Sequence, residues 1–206
     1  MSYRVPLATT RAEQTLRKSR FIGEAARVDS IEAARDHRHA LRQEFASATH
    51  HCWAYVIGDP DSTTRIQCED DSEPSGTAGR PILSALRHHR LGDVQLVVVR
   101  FFGGIKLGAG GLVRAYSGTA SRVLSSMSVA NHHETLIRRL CIPYRAQAQL
   151  RRVLAEAGAE ILDVRYESDI VFEIRLRRDE AGRIEHRIDE ITAGQAQWSP
   201  PSRTKS

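Results

Sequence analysis

The residues best suited to chemistry lie in Arg100-Phe101-Phe102-Gly103-Gly104-Ile105-Lys106-Leu107-Gly108-Ala109-Gly110-Gly111, where five glycines fall between positions 103 and 111. Glycines leave backbone N–H groups unshielded, and a helix beginning beside them adds partial positive charge. Arg100, Lys106 and Arg114 add full charges. That set can hold a phosphate or a carboxylate; the same glycines also suit a tight strand-to-helix turn with positive φ. No Gly-Lys-Ser/Thr closes it as a P-loop, and it is not the Gly-x-Gly-x-x-Gly dinucleotide pattern. The loop Asp70-Asp71-Ser72-Glu73-Pro74-Ser75-Gly76-Thr77-Ala78-Gly79-Arg80-Pro81 is the second candidate. Asp70, Asp71 and Glu73 are oxygen donors for Mg²⁺, or else solvated carboxylates and caps of neighbouring N–H groups. Ser75, Gly76 and Thr77 place hydroxyls among small residues without forming a Gly-x-Ser-x-Gly nucleophile elbow. The histidine pairs His50-His51, His88-His89 and His132-His133 do not suit one metal, because neighbours on a strand face opposite ways. Cys52, Cys68 and Cys141 are far apart, which argues against a disulfide framework and a structural zinc site.

These groups need elements to position them. Arg20 to Val28 reads as a strand, and Ser30 as the N-cap of a helix carrying Ile31, Ala34, Arg38, Leu41 and Phe45 at spacings of three and four. His51 to Ile57 is a second strand, turned by Gly58-Asp59-Pro60-Asp61 towards a short partner at Thr64 to Cys68. The aromatic face of Trp53 and Tyr55 suits core packing or base stacking. Irregular structure follows Cys68 until a helix that holds Pro81 in its first turn and runs through Ile82, Leu83 and Leu86 to about His89. Val94 to Phe101, with Leu96-Val97-Val98-Val99 at its centre, is the strongest strand and suits burial on both faces. A helix from about Gly111 to Ser125 comes after the glycines. The pattern resets at Ser128 to His133, which reads as a linker. Beyond it come a strand (Glu134 to Tyr144), a helix (Arg145 to Ala157, ended by Gly158), a hairpin (Glu160 to Tyr166, Asp169 to Arg177), a helix capped by Asp179 and ending at Ile191, and a last strand at Ala196 to Trp198. This β-α-β-β-α-β order is the ferredoxin-like arrangement. The expected organisation is therefore α+β: residues 1–130, then 134–200, then a disordered tail at 201–206.

The 206 residues carry 41% hydrophobic and 27% charged side chains, a globular mixture. No apolar run approaches the roughly 20 residues of a membrane span, and the first residues lack a secretory h-region. A cytoplasmic protein without membrane association is expected. The net charge is +5, and the segment up to Ala130 holds 17 basic against 13 acidic residues. Such a surplus permits a polyanionic partner without requiring one.

Taken together, the acidic loop, the segment Val99-Arg100-Phe101-Phe102-Gly103-Gly104 and the following Leu107-Gly108-Ala109-Gly110-Gly111-Leu112-Val113-Arg114-Ala115-Tyr116 resemble the signature of the Impact family, bacterial YigZ-like branch. Ser19-Arg20-Phe21-Ile22 and His50-His51-Cys52-Trp53-Ala54 resemble its entry strand and second strand. The family often has tyrosine in the aromatic pair before Gly103-Gly104, where this chain has Phe101 and Phe102. The resemblance implies an N-terminal domain of the ribosomal protein S5 domain 2-like type. It also implies a C-terminal ferredoxin-like domain similar to the last domain of elongation factor G.

The leading expectation is a non-catalytic, translation-associated regulator that binds RNA or the ribosome. Arg80, Arg100, Gly103, Gly104, Lys106, Gly108, Gly110, Gly111 and Arg114 would meet phosphates, and Asp70, Asp71, Glu73, Ser75, Gly76 and Thr77 would order the cleft wall. No resident cofactor is expected under that reading. One alternative is a Mg²⁺-dependent enzyme on a small phosphorylated or nucleotide-like substrate, with Asp70, Asp71 or Glu73 on the metal. Another is a protein-binding adaptor in translational stress control.

Overall fold

The structure, a computed structural model, describes residues 2–199. The fold is mixed α+β, and it divides into two compact units that part between His132 and His133. The tail expected at 201–206 lies outside the described residues.

The N-terminal unit contains, in order, β1 (Ser2–Pro6), β2 (Thr10–Leu16), β3 (Ser19–Arg27), α1 (Ile31–Glu44), β4 (His50–Val56), β5 (Ile66–Glu69), α2 (Gly79–His88), β6 (Val94–Phe101), α3 (Ala109–Ser126) and β7 (Val129–His133). Five strands form an antiparallel sheet in the order β2-β3-β6-β4-β5. β6 is central because its apolar run can be buried on both sides. Leu96 and Val98 join Phe21, Cys52, Ile82, Leu86 and Tyr116 under α2 and α3. Val97 and Val99 join Ile22, Trp53, Tyr55, Ala34 and Leu41 under α1. Ser30 caps α1 as expected, its Oγ accepting from Ala33 N at 3.1 Å. Trp53 and Tyr55 stack within the α1-side core, so that face is packing and not a base platform.

One expectation fails here, and one region carries strands for which the sequence gives no sign. Residues 129–133 are not a linker: β7 pairs with β1, and Leu7 N donates to Ser128 O at 3.0 Å. The residues before Leu16 also form strands that hydropathy hides. β2 reads Thr-Arg-Ala-Glu-Gln-Thr-Leu because it is an edge strand with no fully buried residue.

The C-terminal unit contains β8 (Thr135–Ile142), a 3₁₀ turn at Tyr144–Ala146, α4 (Gln147–Glu156), β9 (Glu160–Tyr166), β10 (Ile170–Arg177), α5 (Ala181–Ile191) and β11 (Gln197–Ser199). Its antiparallel sheet has the order β11-β8-β10-β9. One face buries Leu140, Ile142, Phe172 and Ile174 against Leu150, Leu154, Ile184 and Ile188 of the two helices. Gly158, at φ +62°, ends α4 with Ala159 N bonded to Leu154 O and Gly158 N to Ala155 O, the paired bonds of a Schellman motif. Asp179 does not cap α5. Its carboxylate takes Arg177 at 3.0 Å, and the N-cap position falls to Glu180 without a side-chain bond. No helix among the described residues is long and apolar enough to cross a membrane.

Candidate functional site

The acidic loop is held by its own carboxylates. Asp70 accepts from Gly76 N (2.7 Å), Ala78 N (2.9 Å) and Gly79 N (2.8 Å), serving donors at the start of α2 that no residue at the N-cap position satisfies. Burial pushes its carboxyl up, but these N–H groups and Arg80 prevail and hold it below the usual value. Asp71 accepts from His51 N (2.6 Å) and Arg42 (2.8 Å), and it too is held low against its burial. Asp71 and Ser72 adopt positive φ to make this turn. Thr77 Oγ1 donates to Pro74 O at 2.6 Å, while Ser75 and Arg80 remain exposed.

Glu73 turns the other way, into the protein. Its Oε1 accepts from Arg100 Nη1 at 2.6 Å and from the Tyr116 hydroxyl at 2.7 Å. The side chains of Arg100 and Glu73 are 6% and 3% exposed. Cys52 Sγ sits 3.3 Å from the same hydroxyl, and burial pushes its thiol up, so it is no nucleophile at neutral pH. The three carboxylates offered to Mg²⁺ by the sequence thus serve three separate sets of protein donors. Among the described residues, no group of three or more His, Cys, Asp or Glu is placed to hold a metal ion.

Above the Glu73–Arg100 pair opens a cleft of about 450 Å³, lined by Thr49, His50, Pro74, Phe102, Lys106 and the Leu107–Ala109 segment among others. Hydrogen bonds from Thr49 N to Arg100 O (2.8 Å) and from Phe102 N to Thr49 Oγ1 (3.2 Å) join the start of β4 to the end of β6. His50 Nδ1 lies 2.8 Å from the Asp71 carbonyl, which can only accept, so Nδ1 carries the hydrogen. The 18-residue α3 begins at the cleft behind Gly108 (φ +71°), with no side-chain cap on its first turn. Lys106 makes no ion pair among the described residues. Phe102 is 48% exposed, and the Arg100 guanidinium lies 5.4 Å from its ring centroid.

The predicted phosphate ligands therefore separate. Lys106 and Gly108 line the cleft. Gly111 and Arg114 line an adjoining groove with Arg17 and Gln14, on the other side of Leu107. Gly110 lies beside the Arg114 side chain, and Gly104 (φ +82°) is in open space. Gly103 is there for packing: a Cβ would come within 2.0 Å of the Lys18 carbonyl. Arg80 lies outside the cleft lining, and Arg100 is occupied by Glu73 and Ser19, a neutralised pair in place of a phosphate ligand. Thr49, His50 and Phe102 line the site without having been singled out for it. The adjacency of His50 and His51 was the available signal, since alternation leaves one of them facing this end of the sheet.

An Impact N-terminal domain model matches residues 17–124, just over half of the chain. The IMPACT family member YigZ of Escherichia coli is 31% identical over 196 residues, covering 95% of this chain and 96% of that one. The chain belongs to the IMPACT family. The family member YvyE of Bacillus subtilis is 35% identical over 184 residues, covering 89% of this chain and 84% of the relative. Residues 140–195 match a second model, described as a domain of unknown function (DUF1949). A solved structure titled "Crystal structure of an hypothetical protein" is 30% identical, covers 98% of each chain and gives a TM-score of 0.72. The IMPACT N-terminal match contains the whole cleft, from Thr49 to Leu112, and the Arg17, Gly111 and Arg114 side of the adjoining groove.

Proposed function

We propose that this IMPACT-family protein is a non-catalytic, cytoplasmic, translation-associated regulator that binds single-stranded RNA or a ribonucleoprotein. In this reading the N-terminal unit is an S5 domain 2-like domain. The C-terminal unit is a ferredoxin-like domain similar to the last domain of elongation factor G, in keeping with its β-α-β-β-α-β order. Fold likeness alone grants no activity. The observation that carries the reading is the placement of Lys106, which makes no ion pair among the described residues, beside the uncapped N-terminus of α3, in a cleft that also exposes Phe102. A phosphate meets the N–H groups and the ammonium, and the base beside it has a ring to stack on.

The test is titration of labelled single-stranded RNA and tRNA at several salt concentrations, with Lys106→Ala/Arg114→Ala as control. Each phosphate neutralised on a single strand contributes about 0.7 to the slope of log affinity against log salt. The double variant should lose about 1.4 of that slope if each side chain meets one phosphate. Absence of binding at low salt, or an unchanged slope, refutes the reading.

A further inference from the structure

A site for phosphate alone does not account for the cleft floor, which carries a carboxylate. Glu73 is more than nine-tenths buried, lines the cleft, and takes both of its hydrogen bonds on Oε1. Among the described residues no hydrogen bond reaches Oε2. The pair is unfinished on its other side as well: Arg100 Nε is buried without a partner. Buried polar groups are normally satisfied, and those that are not mark a strained or ligand-completed place. Arg100 and Tyr116 fix the Glu73 carboxylate from behind, so its second oxygen is a preorganised acceptor at the bottom of a mainly apolar cleft.

The cleft therefore has three parts in a volume of about 450 Å³, within the range of about 300–1,000 Å³ for small-molecule sites. These are a charge site at Lys106 and α3, an exposed aromatic ring at Phe102, and the Oε2 acceptor of Glu73, which no hydrogen bond among the described residues occupies. We propose that the cleft takes one nucleotide of the bound RNA, and that Glu73 Oε2 selects a base bearing an exocyclic amino group. The proposal rests on the RNA reading above and adds a base preference to it. Phe102 stacks on the base, whichever it is. Glu73 accepts from the amine, as a carboxylate does from cytosine N4 in groove recognition. Uracil is disfavoured, because its single pairing-edge donor, N3–H, stands between two carbonyl oxygens that the carboxylate repels. His50 Nε2, 3.8 Å from Glu73 Oε1, keeps a further polar atom at the same floor.

Cytosine and uracil differ in their pairing edge but hardly in ring size, so tetracytidylate and tetrauridylate isolate the effect. With the full-length protein at low salt, tetracytidylate should bind about tenfold more tightly than tetrauridylate, a difference of about 1.4 kcal/mol. Lys106→Ala should weaken both oligonucleotides alike and leave that ratio standing. Glu73→Gln should bring the ratio close to one, its folded state being checked by circular dichroism. The wild-type ratio and its persistence in Lys106→Ala decide the matter even if Glu73→Gln does not fold. Salt-dependent binding of both oligonucleotides with equal affinity overturns the base preference while leaving the RNA reading intact. A preference for uridylate, or a tenfold ratio that survives in folded Glu73→Gln, also overturns it. No binding of either oligonucleotide, or of longer RNA, overturns both proposals together.

Discussion

Replacing Asp70 with alanine tests whether the acidic loop is a capping device. In the structure its two oxygens satisfy three N–H groups, those of Gly76, Ala78 and Gly79. Ala78 and Gly79 are buried, whereas Gly76 is half-exposed and can turn to water. Loss of a helix N-cap costs about 0.5–2 kcal/mol, and a buried donor left unpaired costs about 1–3 kcal/mol. Two buried donors and one solvated one therefore point to a loss of about 3 kcal/mol in Asp70→Ala. For a chain of this size that lowers Tm by about 6–12 °C. Asp70→Asn keeps one acceptor oxygen and should lose about half as much.

The effect has a pH signature. The Asp70 carboxyl is held below its ordinary value of about 3.9 in the folded protein. Its stabilisation is thus complete above that value and disappears as pH falls through the lower folded value. The gap between wild type and Asp70→Ala, measured by urea unfolding, should be constant near neutrality and shrink below about pH 4. A stability change under about 0.5 kcal/mol, the range of ordinary surface substitutions, would refute the capping argument. So would a gap that widens on acidification.

Two further outcomes follow from the same region. Tyr116→Phe keeps the ring packed edge-on to Phe21, at 5.4 Å between centroids, but removes one donor from Glu73; urea unfolding should show a loss of about 1–2 kcal/mol. Gly103→Ala drives a Cβ into the Lys18 carbonyl, so the turn between β2 and β3 must move; a loss of about 2–3 kcal/mol is expected by the same assay, and an unperturbed variant would show that the loop has slack.

The parts of the fold that sequence reveals are those where local chemistry and tertiary context agree. Val94–Phe101 is apolar throughout because both faces of β6 are covered, and Ser30 is followed by a helical spacing that buries Ala34 and Leu41. β2 and β7 escape because an edge strand needs few apolar residues, so hydrogen-bond partners decide their structure in place of hydropathy. Pro81 falls in the first turn of α2, as its fixed φ suggests, and the Asp70 cap reaches across the loop to begin the helix two residues earlier, at Gly79. The candidate site was legible as a glycine-rich, basic segment at a helix start. Illegible was the fate of each charge. Arg100 and Lys106 look alike in a one-dimensional reading, yet one is locked to Glu73 and the other lines the cleft with no ion pair among the described residues. Only folding brings together residues 27 apart to settle which is which.

The Glu73–Arg100 pair also constrains how the protein can diverge. Removing either member leaves the other as a lone buried charge, at a cost of about 3–5 kcal/mol, whereas replacing both by apolar residues of similar volume can be neutral. The route from this cleft to one without it therefore runs through a deep fitness valley at each single step. Descendants of such a chain should keep the two residues together or abandon them together, and Tyr116, which donates to the same oxygen, is the position freed once they have gone.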